Sequence, residues 1–116
     1  MANTITISKT ERGSMQFQGA FKDMWRITGS VTDSDAVALT AIGEFDITVP
    51  GVALGDMVLG MSFGADFDDG TDQASPTAYV AAANTVTVQW HADNAEFAAD
   101  ALNGASFKML VGRPSW

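Results

Sequence analysis

The chain has 116 residues, 47% of them hydrophobic and 17% charged, and its formal net charge is −8. This length fits one domain with one modest core, and the hydrophobic content argues against global disorder. The absence of cysteine excludes disulfides, thiolate metal sites and cysteine nucleophiles. No stretch approaches the ~20 apolar residues of a membrane span, and the N-terminal sequence MANTITISKT lacks the apolar core of a secretory signal. We therefore expect a soluble protein made in a cytoplasm.

Charge is distributed unevenly along the chain. Up to Arg26 there are four cations and two acids, a net of +2, whereas from Ile27 onward two cations face twelve acids, a net of −10. Such an acidic body repels phosphate, so we expect no nucleic-acid partner. The basic N-terminal stretch could dock on an acidic partner or on the acidic body of a neighbouring copy. The alternative is that it forms a solvated first strand and loop.

Strand patterns begin at the N-terminus. Residues 4–8 predict a first strand, and residues 15–17 with 21–31 predict one or two more. Residues 1–35 are nevertheless less regular than the rest. The pattern therefore predicts an extended N-terminal arm over 1–35 that leads into a core over 36–116.

The longest clean alternation covers residues 36–49 and ends at Pro50-Gly51. Its second half places Phe45, Ile47 and Val49 on one parity and Glu44, Asp46 and Thr48 on the other. Successive side chains of a strand point to opposite faces, so this is a half-buried strand that needs a second layer to cover it. Gly43 interrupts the pattern, and a glycine inside a strand often marks a bulge or a sharp bend.

The remaining chain carries further strands separated by turn residues. A turn is predicted at 51–54, and strands are predicted at 57–63, 77–82, 85–91 and 107–111. The polar connection Gly64–Pro76 is long, and the segment 94–102 is either a short helix capped by Asn94 or an irregular crossover. About seven to eight short strands predict an all-β fold, either a single β-sandwich or a small jelly-roll-like barrel.

The most suggestive polar cluster is the acidic stretch ADFDDGTD, with Asp66, Asp68, Asp69 and Asp72. Four carboxylates within seven residues could ligate Ca²⁺ through oxygen atoms. The EF-hand spacing is absent, because the glycine falls one position early and no glutamate closes the loop. A solvated acidic loop is the favoured interpretation, and we expect no bound metal or cofactor.

Two other pairs of residues could serve acid–base chemistry. His91 is the only histidine and is followed closely by Asp93, while Glu44 and Asp46 alternate on one strand. A hydrolase would also need a positioned nucleophile and an oxyanion site, and no nucleophile elbow is present. Adjacent exposed acids on a strand are ordinary solubilising residues. The sequence therefore predicts a protein that is not an enzyme.

Three segments carry a family resemblance. They are FDITVPGVALGDMVLGMSF at 45–63, ANTVTVQWHADNAE at 83–96 and GASFKMLVGRP at 104–114. Together they resemble small β-sandwich structural proteins of tailed bacteriophages, in which a strand ending in V-P-G-[AV]-A-x-G-D leads into an apolar strand and the last strand closes in V-x-R-P. Such modules occur as capsid decoration (cement) proteins and head fibres.

The resemblance implies a non-catalytic virion protein on the capsid surface that bridges subunits of the major capsid protein and forms a homotrimer. In such proteins the terminal arms often carry attachment, and aromatic residues are common interface anchors. The predicted contact residues are therefore Lys9, Arg12, Lys22, Trp25, Arg26, Arg113 and Trp116.

Other functions remain open at this point. A head-fibre or tail-attached module would bind a host surface through its exposed loops. A carbohydrate-binding sandwich would use Trp25, Trp90 or Trp116 as a platform for a sugar ring. Trp116 itself would either insert into a neighbouring subunit or fold back over an open end of its own sandwich.

Overall fold

The computed structural model describes residues 3–13, 20–33, 42–64, 74–92 and 103–116. These residues form seven antiparallel strands, β1 (Thr4–Gly13), β2 (Phe21–Asp33), β3 (Ile42–Thr48), β4 (Met57–Phe63), β5 (Ala74–Ala82), β6 (Thr85–Ala92) and β7 (Ser106–Pro114). One sheet has four strands in the order β1-β2-β7-β4, and the other has three in the order β3-β6-β5. The prediction of an all-β sandwich is confirmed.

Alternation along the strands builds the core between the two sheets. In β3 every second residue is buried, and in β7 the buried set is Phe107, Met109 and Val111. The largest buried side chains are those of Trp25 in β2 and Trp90 in β6. The core therefore draws side chains from both sheets, as two packed layers require.

Gly43 does not mark a bulge, which corrects the interpretation of the sequence pattern. The pairing of β3 with β6 runs without a shift from Ile42 opposite His91 to Thr48 opposite Thr85. A Cβ atom on Gly43 would lie 2.5 Å from the Trp90 ring. The glycine is needed because the indole of the neighbouring strand occupies the space of a side chain.

The prediction of an extended N-terminal arm is wrong for the described part of residues 1–35. β2 pairs with β1 on one side and with β7 on the other, so it lies inside the four-stranded sheet. It also supplies Trp25, Ile27 and Val31 to the core. The sequence pattern looked irregular because both strands contain register shifts, near Ile7 in β1 and near Phe21 in β2.

The predicted turn that follows β3 joins the two sheets. Gly51 and Gly55 have positive φ angles of 96° and 99°, which favour glycine. Asn84, in the connection between β5 and β6, accepts a hydrogen bond from Gly51 N at 2.8 Å and donates its backbone N–H to Val52 O at 2.8 Å. The turn is thereby fixed to the three-stranded sheet.

Several other predictions fall on segments that are not described. The helix or crossover at 94–102 and most of the polar connection 64–76 lie outside the described residues. Within the described ranges there is no helix of the length and apolarity needed to cross a membrane.

Candidate functional site

The polar groups that suggested chemistry do not form a site in the described ranges. No group of three or more His, Cys, Asp and Glu residues in those ranges could hold a metal ion. Asp66, Asp68, Asp69 and Asp72, together with Asp93 and the side chain of His91, lie outside the described residues.

Glu44 and Asp46 are exposed on the outer surface of the three-stranded sheet. Asp46 accepts a hydrogen bond from Thr87 Oγ1 at 2.7 Å, and Glu44 accepts one from Gln89 Nε2 at 3.3 Å. Both partners lie on the neighbouring strand β6. The two carboxylates therefore serve as cross-strand acceptors on a solvated face.

The two sheets differ sharply in charge. All six Lys and Arg residues of the chain lie in β1, β2 and β7, and the four-stranded sheet holds only three acids. The three-stranded sheet holds Glu44 and Asp46 and no Lys or Arg. The one basic surface of this acidic chain is therefore on the four-stranded sheet.

The surface of the four-stranded sheet that points away from the core, here called the outer face, is organised in rows across the strands. The pairing register aligns Lys9, Thr28, Lys108 and Ser62 in a first row. It aligns Glu11, Arg26, Leu110 and Gly60 in a second row. Met24, Gly112 and Met57 form a third row. The outer face is thus graded from cationic to apolar along the strand direction.

The first two rows enclose an open trough of about 510 Å³. We call this trough the basic basin, defined by Lys9, Glu11, Arg26, Thr28, Ser62 and Lys108. Arg26 Nη2 lies 2.8 Å from Glu11 Oε1, and Lys9 Nζ lies 3.7 Å from Glu11 Oε2. Lys108 forms no ion pair with any described residue. The basin therefore has a net charge of +2, and Lys108 is its one cation without an ion pair to a described residue.

An apolar patch continues the outer face beyond the basin, and it consists of Phe21, Met57, Leu59, Leu110 and Trp116. A Cβ atom on Gly112 would meet Phe21 Cδ1 at 2.7 Å and Leu59 Cδ1 at 3.0 Å, so both side chains cover the same point of β7. The Phe21 and Trp116 rings have centroids 5.9 Å apart. Met57, Leu59 and Trp116 remain 41%, 36% and 79% exposed. The core lies on the opposite face of this sheet, so it does not cover these three side chains.

The prediction that Trp25 contacts a partner is wrong, because Trp25 is fully buried. Its Nε1–H donates to Pro50 O at 3.0 Å. The guanidinium carbons of Arg12 and Arg113 lie 4.9 Å and 5.3 Å from its ring centroid, within the range of cation–π attraction. Trp90 is buried as well, so neither of these two residues can serve as the sugar platform of the carbohydrate-binding alternative.

Arg113 stabilises the fold itself. Its Nε and Nη2 contact the two carboxylate oxygens of Asp56 at 2.9 Å each, and Nη2 also donates to Gly51 O at 2.9 Å. The hydrogen bonds that Arg113 donates to Asp56 raise the pKa of Arg113, and the Asp56 side chain is almost completely buried. The Arg113 N–H groups that were expected to contact another subunit therefore form hydrogen bonds within the chain.

Arg12 is held in a second pair, with Nη2 at 2.7 Å from Asp23 Oδ2. The hydrogen bond that Arg12 Nε donates to Asp23 Oδ2 at 2.8 Å lowers the pKa of Asp23 below its ordinary value of 3.8. A carboxyl group with a depressed folded-state pKa stabilises the fold above its unfolded pKa, and this contribution is lost as the pH falls through the folded pKa.

We expect Asp23→Asn to lower the melting temperature at neutral pH and to have a smaller effect as the pH falls through the depressed folded-state pKa of Asp23, below which Asp23 is protonated in both states. Thermal unfolding of both proteins between about pH 7 and about pH 2 measures this difference. A gap in melting temperature that stays constant over the whole range would contradict a depressed Asp23 pKa.

The structure places the other predicted contact residues on different surfaces. Lys9 and Arg26 line the basin, Trp116 lies against Phe21, and Lys22 is exposed at a register shift in β2, outside the basin. Trp116 is 79% exposed and contacts Phe21 on the outer face, so it does not fold back over an open end of its own sandwich, while its insertion into a neighbouring subunit stays a prediction.

Sequence reasoning missed Lys108, Leu59 and Leu110. Lys108 and Leu110 stand on the parity of β7 opposite to the buried Phe107 and Met109, so the alternation already carried a signal for them. Leu59 carried no such signal, because it lies in an unbroken apolar run and at a register shift in β4.

No protein-family model, no curated protein and no solved structure matches the chain. Its function is therefore argued from the geometry of the outer face and from the sequence resemblance alone.

Proposed function

We propose that the chain is a non-catalytic structural protein that binds other protein subunits through the outer face of the four-stranded sheet. The apolar patch is the observation that carries this proposal. Monomeric soluble proteins rarely leave contiguous large apolar side chains in water without a use for them, and such patches mark interaction sites. The adjoining cations would fix the orientation of the partner.

The sequence resemblance supplies the identity of the partner in this proposal. The protein decorates or cements a tailed-bacteriophage capsid on its outer surface, where it binds the major capsid protein and associates as a homotrimer. A protein that binds only the assembled shell stabilises the shell by mass action. This role needs a stable body and a docking face, and it needs no reactive group.

We expect the purified protein to co-sediment with expanded capsids of its phage and to raise their melting temperature. Leu59→Asp places a charge in the apolar patch and is expected to weaken capsid binding about tenfold or more. Leu54→Asp is the matched control, because Leu54 is 72% exposed in the turn between β3 and β4 and is not part of the patch. Sedimentation assays with both variants, after circular dichroism has verified their folding, measure the difference.

Two results would contradict the proposal. Wild-type protein that stays in the supernatant with expanded capsids would exclude cementing. Equal losses in Leu54→Asp and Leu59→Asp would mean that the outer face is not the docking surface.

A further inference from the structure

Building on the proposed function, we propose that the basic basin receives an acidic, extended polypeptide segment of the partner subunit. The segment crosses the four strands, and its carboxylates face Lys9 and Lys108 while an apolar side chain lies toward Leu110 and the apolar patch. The partner contact is thereby assigned a chemistry that the proposed function alone does not specify.

Charge complementarity is the first argument for this occupant. Lys9 and Lys108 stand in the same row of the outer face, separated by Thr28 on β2. Neighbouring strands lie about 4.8 Å apart, so the two lysines are roughly 10 Å apart across the sheet. A chain in the extended polyproline II conformation covers this distance in about three residues and returns to the same side every third residue, which defines the spacing of the two carboxylates.

Lys108 is the decisive residue within this row. Lys9 and Arg26 share the carboxylate of Glu11, whereas Lys108 has no counter-ion among the described residues. Ser62 and Thr28 stand on either side of it in the row and offer hydroxyl groups to a peptide backbone. An incoming carboxylate at this position gains an ion pair without breaking one to a described residue.

The shape of the basin favours a polypeptide. A Cβ atom on Gly60 would have no neighbour within 4 Å, so the trough is open above the edge strand β4. A segment can therefore run across the edge rather than end in a closed pocket. The second row contains Leu110 as well as the cation Arg26, and a protein segment can satisfy both kinds of contact.

Nucleic acid fits this surface less well. The apolar Leu110 next to the cations adds nothing to phosphate binding, whereas it can contact an apolar side chain of a polypeptide. The acidic remainder of the chain opposes a long polyanion as well.

A fluorescence anisotropy experiment on the full chain tests the assignment. The probe is a short fluorescein-labelled peptide that repeats Glu-Ser-Leu, compared with one that repeats Gln-Ser-Leu and one that repeats Glu-Ser-Ser. We expect the first peptide to bind most tightly and its affinity to fall with added salt. Lys108→Glu is expected to weaken its binding about tenfold.

Lys22→Glu is the matched control, because it makes the same change of charge on an exposed lysine of the same sheet outside the basin. We expect it to change the affinity by less than about twofold. Gly60→Leu is a second variant that leaves the charge unchanged, fills the trough and is expected to weaken binding as Lys108→Glu does.

Several outcomes would overturn the assignment. Equal binding of the Gln-Ser-Leu peptide, or equal losses in Lys22→Glu and Lys108→Glu, would exclude a specific acidic partner. Tighter binding of an oligothymidylate would point to nucleic acid instead. Tighter binding of a peptide with the sequence of residues 63–75, which holds four aspartates, would make a second copy of the chain the occupant.

The assignment and the proposed function can fail separately. If wild-type protein and Lys108→Glu bind capsids equally well, the basin is not the contact, although the cementing role stands. If the acidic peptide binds in a Lys108-dependent way and capsids do not bind at all, the basin is real and the capsid role is wrong.

Discussion

Gly43→Ala is expected to lower the free energy of unfolding by about 2 to 3 kcal/mol, as overpacking of a filled core does. The new methyl group would lie 2.5 to 2.7 Å from atoms of the Trp90 indole, well inside contact distance. Trp90 is fully buried and its ring packs against Phe45 with centroids 5.0 Å apart, so it has no free space into which to move. Urea unfolding followed by tryptophan fluorescence measures the change.

Gly60→Ala is the control for this substitution. Gly60 is also a glycine within a strand, but a Cβ atom placed on it meets no other atom within 4 Å. We expect no loss of stability, and a small gain is consistent with the lower entropy of the unfolded alanine chain. If both variants unfolded at the same urea concentration, the contact between Gly43 and the Trp90 ring would not limit side-chain size.

Asp56→Ala is the second substitution with a large expected effect, a loss of about 2 to 4 kcal/mol in the free energy of unfolding. The Asp56 carboxylate binds both Nε and Nη2 of Arg113 and accepts a hydrogen bond from Ala53 N at 2.8 Å. Removing it leaves the Arg113 guanidinium, which is 29% exposed, without its ion partner and leaves the turn between β3 and β4 without this acceptor.

Two further variants separate the ion pair from a general charge effect. Arg113→Lys keeps the positive charge but loses the forked geometry, so we expect an intermediate loss of stability. Asp33→Ala also removes a carboxylate, at the end of β2, where no described residue forms an ion pair or a hydrogen bond with the Asp33 side chain. We expect it to change the free energy of unfolding by no more than about 0.5 kcal/mol. Thermal unfolding of all three variants measures this order, and a loss in Asp33→Ala that equals that of Asp56→Ala would contradict it.

One of these two contacts also supports the strand that carries part of the proposed docking face. The pair of Arg113 with Asp56 fixes the end of β7 to the turn that follows β3, and β7 is the strand that carries Lys108 and Leu110. The outer face is therefore presented by strands whose opposite side is anchored in the core. A rigid face loses little conformational entropy when a partner binds.

Most strands could be predicted from the sequence because their signal is local. The alternation in β3, β6 and β7 shows directly which residues are inside, and Pro50-Gly51 marks the turn after β3. β1 and β2 were harder, since register shifts break the alternation on which the prediction depends.

The amino-acid sequence alone determined the all-β class, the positions of most strands and the concentration of cations near the N-terminus, because strand periodicity and charge belong to short stretches of chain. Only the tertiary structure decided that β7 lies beside β2 and that Lys108 joins Lys9 in one row. It also decided that Trp25 is buried and that Arg113 faces Asp56. Strand order and register depend on contacts between residues far apart in the chain, which no local pattern encodes.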